Sequence, residues 1–141
     1  MKSRSTVHLY IGAFLLLVLH IFISSAIAAE SPAQKAVLVT GASSGIGRNI
    51  AERLASEGYF VYGGARKDKD IAALSAIENI QGVRLDVTIQ ADIDTAVETV
   101  RAGGLGLYGI VNNAGVVVMG LLAETDQSEL DFVFDVNVHG P

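Results

Sequence analysis

The run Val37-Leu38-Val39-Thr40-Gly41-Ala42-Ser43-Ser44-Gly45-Ile46-Gly47 constrains this chain more than any other. Apolar and β-branched residues lead into a loop holding Gly41, Gly45 and Gly47. An amphipathic segment follows, with Ile46, Ile50, Ala51 and Leu54 at helical spacing. That is strand, glycine-rich turn and helix. Such a turn brings bare backbone N–H groups and a helix N-terminus against a phosphate. Gly41 permits the tight turn, Gly45 lets a pyrophosphate approach the main chain, and Gly47 lets the helix pack closely on the strand. A glycine-rich turn without any ligand has the same local pattern, so the loop needs support from elsewhere in the chain.

Residues 1–29 read as a targeting segment. Lys2 and Arg4 make a small basic head, and Leu9 to Ile23 is an apolar run broken only by Tyr10, Gly12 and His20. Ser24 to Ala29 then supplies small residues, with Ala26 and Ala28 fitting the A-x-A cleavage pattern of a signal peptide. Val7 to Ala29 is also long enough to span a bilayer core of about 30 Å as an uncleaved membrane anchor. The first alternative exports the domain to a periplasm or the extracellular space, and the second anchors it to a membrane. Residues 30–35 form a short polar linker, and residues 36–141 carry the fold.

Within that part, strands are expected at Ala36–Thr40, Tyr59–Tyr62, Gly82–Leu85 and Leu107–Asn112. Helices are expected at Gly45–Glu57, Asp70–Ile77, Asp92–Arg101 and Ser128 to about Val138. Gly58 stands at a helix C-cap position, and Gly103, Gly104 and Gly106 interrupt the third helix. Short apolar strands alternating with helices predict an α/β fold, a parallel sheet covered on both faces.

Composition narrows the function. Net charge is −5, and residues 1–29 contribute Lys2 and Arg4 but no acid, so the remainder is more acidic still. With no basic run interleaved with aromatics, a nucleic-acid surface is not expected. The chain has no cysteine, which excludes disulfides, thiolate metal sites and cysteine nucleophiles.

Three stretches support the glycine-rich loop. Arg66-Lys67 follows the second strand, where a dinucleotide site reads the adenosine ribose and where an acid selects a free 2′-hydroxyl. A guanidinium there offers a planar fork for a 2′-phosphate, although a solvated basic pair at a strand end would look the same. Asp86-Val87 closes the third strand, where a carboxylate can accept from an adenine amino group or merely cap the next helix. Asn112-Asn113-Ala114-Gly115 follows the fourth strand, with small residues that let backbone lie close to a ribose.

Together these residues resemble the short-chain dehydrogenase/reductase family over about residues 35–141. Thr40 to Gly47 fits its T-G-x-x-x-G-x-G, Asn112 to Gly115 its N-N-A-G, and Asn137 to Gly140 its later N-x-x-G. The resemblance implies a Rossmann-type doubly wound sheet in the order 3-2-1-4, truncated after the fourth strand and the following helix. It implies hydride transfer between a nicotinamide and a carbonyl or secondary alcohol, with NADP(H) favoured over NAD(H) by Arg66. Ser43, Ser44 and Ile46 would contact the cofactor with Gly41, Gly45 and Gly47. Asp86 and Val87 would flank adenine, and Asn113, Ala114 and Gly115 would line the ribose. Asn112 would tie the sheet together, and Asn137 would hold a water in a proton relay unless it only caps or kinks its own helix. A homo-oligomer is implied for the complete enzyme.

The family's acid–base chemistry uses a Ser followed by Tyr-x-x-x-Lys downstream of the N-x-x-G element. No Tyr-x-x-x-Lys occurs here: Tyr59, Tyr62 and Tyr108 are followed at that spacing by Gly63, Arg66 and Asn112. The expectation is the cofactor-binding portion of a longer enzyme, itself inactive, with the fourth strand left as an open apolar edge. The alternative is a non-catalytic protein that holds a dinucleotide or pairs through that edge.

Overall fold

Four parallel strands set the frame. The structure, a computed structural model, describes residues 34–141. Residues 1–29 and most of the linker lie outside the described residues. Strands β1 (Ala36–Val39), β2 (Phe60–Ala65), β3 (Ile80–Arg84) and β4 (Gly109–Val111) pair in the order β3-β2-β1-β4. Helices α1 (Gly45–Ser56), α2 (Asp68–Ser75) and α3 (Gln90–Ala102) connect them, and α4 (Gln127–Phe134) runs into a wider π-type turn at Asp135–His139. Topology and fold class are those expected from the sequence.

Alternation along the strands builds two cores. Val37, Val39 and Val61 face α1 and α2 with Ala51, Ala55 and Leu74. Ala36, Tyr62 and Val83 face the opposite way, against Val100 of α3. Gly47, Ala51 and Ala55 recur at four-residue spacing and are the buried residues of α1, so that helix lies close on the sheet. Leu74 is fully buried. Truncating such a leucine to alanine costs about 2–5 kcal/mol. On the other face Phe60 and Tyr62 meet edge to face with ring centroids 5.1 Å apart. The Tyr62 hydroxyl stands where a Cβ on Gly103 would be, so the residue ending α3 has room only as glycine.

Helix α1 stops as predicted. Gly58 adopts φ +88°, its N–H reaches Ala55 O at 3.1 Å, and the N–H of Tyr59 reaches Leu54 O at 3.1 Å. These two bonds make a Schellman end.

Three strand expectations need correction, the smallest being β3, which starts at Ile80 rather than Gly82 and ends at Arg84. Strand β2 runs on through Gly63, Gly64 and Ala65, because both neighbours pair with it: Gly63 opposite Val39 and Gly82, and Ala65 opposite Arg84. Glycine suits those positions, with Leu74 and Leu85 packed directly over Gly63 and Gly64. Strand β4 is shorter than Leu107–Asn112, since only Gly109–Val111 pair in register with the four-residue β1. Its Ile110 is 55% exposed. The last helix also departs from expectation, ending at Phe134 before the π-type turn that carries Asn137. Among the described residues no helix is long and apolar enough to cross a membrane.

Candidate functional site

Strand β1 ends in the turn that starts the site. Gly41 has φ +65°, and a Cβ on it would stand 2.8 Å from Ala114 Cα. A Cβ on Gly47 would collide with Gly41 O and Asn113 Nδ2. These contacts close the β1 turn, the start of α1 and the loop after β4 onto one another. Thr40 is buried at their junction. Its hydroxyl oxygen accepts from the N–H of Asn113 at 3.0 Å and of Ala114 at 2.9 Å.

The amide that ties the sheet ends together is that of Asn113, not Asn112. Asn113 Nδ2 donates to Thr40 O at 3.0 Å and to Gly41 O at 3.2 Å, whereas Asn112 is exposed. The two neighbours cannot be told apart from their sequence. The path of the loop after β4 decides which one turns back toward β1.

An open cleft of about 370 Å³ lies above the strand ends. Gly41, Ser43, Ser44, Ile46 and Gly47 line one side, and Asn113, Ala114 and Gly115 line another. Arg66, Asp86 and Val87 complete it among the expected residues. Gly45 is not in the lining; with φ +57° it shapes the turn. Ala65, Leu85, Val116 and Val136 line the cleft without having been singled out. They are ordinary apolar residues, and only their place directly beside the matched stretches marks them.

The start of α1 fits an anionic group. Ser44 at its N-cap makes no side-chain cap bond, and the first turn contains no acid. The leading N–H groups of a helix have no partner within it, and here the Ser44 side chain does not take their place. Glycines that bring backbone this close, beside an uncapped helix start, suit a pyrophosphate.

Asp86 does not cap the next helix: α3 begins at Gln90, with Ile89 at its N-cap. Instead Asp86 Oδ1 accepts from Thr88 N at 3.0 Å and Thr88 Oγ1 at 2.7 Å, an Asx turn. Its Oδ2 lies 3.8 Å from Arg66 Nη1. Partial burial pushes the carboxyl up, but the two Thr88 hydrogen bonds and the Arg66 guanidinium outweigh it and hold it below the ordinary 3.8.

Arg66 also borders a second, polar pocket of about 280 Å³ with Ser43, Ser44, Lys67 and Asp70. Asn137 lies outside both linings. Its side-chain amide brackets Val116, with Nδ2 donating to Val116 O at 2.8 Å and Oδ1 accepting from Val116 N at 2.9 Å. It therefore pins the wall beyond Gly115 rather than capping its own helix.

A parallel sheet of this order, with a glycine-rich helix start at the strand ends, defines a protein of the doubly wound α/β class. The comparisons with known proteins narrow that class. The family model described as short chain dehydrogenase matches residues 35–141. The chain belongs to the short-chain dehydrogenase family of oxidoreductases.

It is 35% identical over 122 residues to the mitochondrial D-beta-hydroxybutyrate dehydrogenase of Rattus norvegicus, covering 79% of this chain and 36% of that protein. To the 3-oxoacyl-(acyl-carrier-protein) reductase FabG of Escherichia coli (strain K12) it is 39% identical over 106 residues, 74% of this chain and 43% of that one. The crystal structure of a short-chain dehydrogenase from Streptomyces avermitilis superposes with a TM-score of 0.73 at 39% identity, covering 79% of this chain and 42% of that chain. The chain spans less than half the length of these relatives.

Proposed function

We propose that the complete protein is an NADP(H)-preferring oxidoreductase that interconverts a carbonyl and a secondary alcohol. The observation that carries the reading is the uncapped, acid-free start of α1 opening into a cleft lined by the family's motif residues. The pyrophosphate would be held by the Ser43–Gly47 turn, and adenine would lie beside Asp86 and Val87. Asn113, Ala114 and Gly115 would carry the nicotinamide-side ribose. When bound, the nicotinamide supplies or accepts the hydride. The chain's own contribution is to fix that group: Thr40 and Asn113 lock the two loops, and Asn137 holds Val116 at the far wall. Arg66, with Lys67 beside the polar pocket, supports a 2′-phosphate, since no carboxylate ends β2 to select a free hydroxyl.

A second reading has its own observation. The sequence contains no Tyr-x-x-x-Lys, so these residues by themselves would hold the dinucleotide without turning it over. The reading also includes an N-terminal segment that exports or anchors the domain, supported by Lys2, Arg4 and the apolar run Leu9–Ile23. Sequencing the N-terminus of the mature protein tests this: a start near residue 30 supports export, and retention of Met1 supports an anchor.

Titrating the complete protein with NADPH and NADH, followed by nicotinamide fluorescence, tests the main reading. Tighter binding of NADPH is expected. Binding of neither would overturn it. Reduction of a carbonyl panel with NADPH would separate the enzyme from the non-catalytic binder.

A further inference from the structure

Arg66 is presented by a turn whose own fastening lies elsewhere. Its side chain is 59% exposed, and the nearest carboxylate oxygen, on Asp86, is 3.8 Å away, too far for a tight hydrogen bond. A long, exposed side chain held this loosely depends on its backbone for its position. That backbone is gripped by Arg84, the last residue of β3, which stands in register with Ala65 of β2. Arg84 Nη1 donates to Arg66 O at 2.7 Å, while its Nη2 pairs with Asp68 Oδ1. One planar guanidinium thus grips the turn at two points, on either side of Lys67.

We propose that Arg84 is a positioning residue for cofactor selectivity, clamping the β2–α2 turn so that Arg66 and Lys67 meet a 2′-phosphate in the polar pocket. The inference rests on the reading of Arg66 as the 2′-phosphate partner. The clamp acts in two ways. It fixes the carbonyl of Arg66, and therefore the origin of that side chain. It also pairs with the exposed carboxylate of Asp68, the first residue of α2, and so ties the start of that helix to the end of β3. Lysine cannot reproduce this, because a single ammonium lacks the fork that reaches two acceptors set apart. Arg84 itself lines neither the cleft nor the polar pocket, so it acts through Arg66 and not by touching the ligand.

The test compares two probes that differ only in the 2′-phosphate, adenosine 2′,5′-bisphosphate and 5′-AMP, titrated calorimetrically into the complete protein. In Arg84→Met, binding of the bisphosphate is expected to weaken about fivefold while 5′-AMP changes by less than about twofold. Arg84→Lys recovers part of the difference. Equal weakening of both probes would show a general structural effect and overturn the clamp. So would an unchanged preference. If Arg84→Met does not fold by circular dichroism, Arg84→Lys carries the test: a partial loss of preference supports the clamp, and full retention overturns it. A wild-type protein with no preference for the bisphosphate overturns the reading of Arg66 and the clamp together. A wild-type preference that survives both substitutions overturns the clamp alone.

Discussion

Thr40 and Asn113 hold each other through main chain and side chain at once. The Thr40 hydroxyl accepts the Asn113 N–H at 3.0 Å, and the Asn113 carboxamide donates back to Thr40 O at 3.0 Å. Strand β1 and the loop after β4 are thereby joined where the cleft begins. The pair adds to the three-residue pairing of β1 with β4 and to the main-chain bonds of Thr40 N to Val111 O and Ala42 N to Gly64 O.

Replacing Thr40 by valine preserves shape but leaves the Asn113 and Ala114 N–H groups facing a methyl. Thr40 is only 5% exposed. The expected loss is about 1–3 kcal/mol, the usual range for buried donors left unpaired. Urea denaturation reads it directly, and Thr40→Ser, which keeps the oxygen, should lose much less. Equal stability of Thr40→Val and the parent would remove this hydroxyl from the account.

Gly47→Ala tests the close approach of α1. The added methyl would run into Gly41 O and the Asn113 amide, and overpacking of this kind costs about 1–3 kcal/mol. Because the displaced groups build the cleft, NADPH affinity should fall along with the urea midpoint. Gly45 offers the comparison: a Cβ there meets nothing within 4 Å. The cost of Gly45→Ala would come from its φ of +57° alone. A harmless Gly47→Ala would mean that the helix start yields without disturbing the site.

The alternation of strands and helices and most of the cleft lining were legible because their signals are local, whereas the strand order came from the family resemblance. The Thr40–Gly47 spacing and the end of each strand lie within a few residues of the chemistry they position. What the sequence left hidden depends on pairing. Strand β2 reaches Ala65 only because β1 and β3 flank it, so Gly63 and Gly64, poor strand formers alone, are held in the ladder. The choice of Asn113 over Asn112 depends on which face of the chain meets β1. Asp86 was legible as a residue at the end of the third strand but ambiguous as a cap, and the two residues between it and Ile89 settle that point.

Arg66→Asp places a second carboxylate beside Asp86 and removes the guanidinium. NADPH affinity is expected to fall about tenfold or more, with NADH affinity held or improved, as a ribose hydroxyl gains an acceptor. Asp70→Asn, which removes the acid from the polar pocket, should move preference the other way by about two- to threefold. Parallel titrations of both variants with both cofactors check the pair. An unchanged ratio in Arg66→Asp would exclude that residue from selectivity.

Asp86 predicts an acid dependence whose sign follows from its direction of shift. Its folded-state value lies below the ordinary 3.8 because the Thr88 hydrogen bonds and Arg66 favour the carboxylate more than burial opposes it. A depressed carboxyl contributes stability that is fully present above its unfolded value and is lost as pH falls through the folded one. Asp86→Asn retains an acceptor for Thr88 but does not titrate. The stability gap between parent and variant should therefore be widest near neutral pH, begin to close below about 3.8, and stop changing below the folded value. Urea midpoints of both proteins across that window give the measurement, and taking the difference cancels the other carboxylates. A gap that stays constant on acidification would mean that the carboxylate charge contributes nothing, leaving hydrogen-bond geometry alone to hold the Asp86 turn.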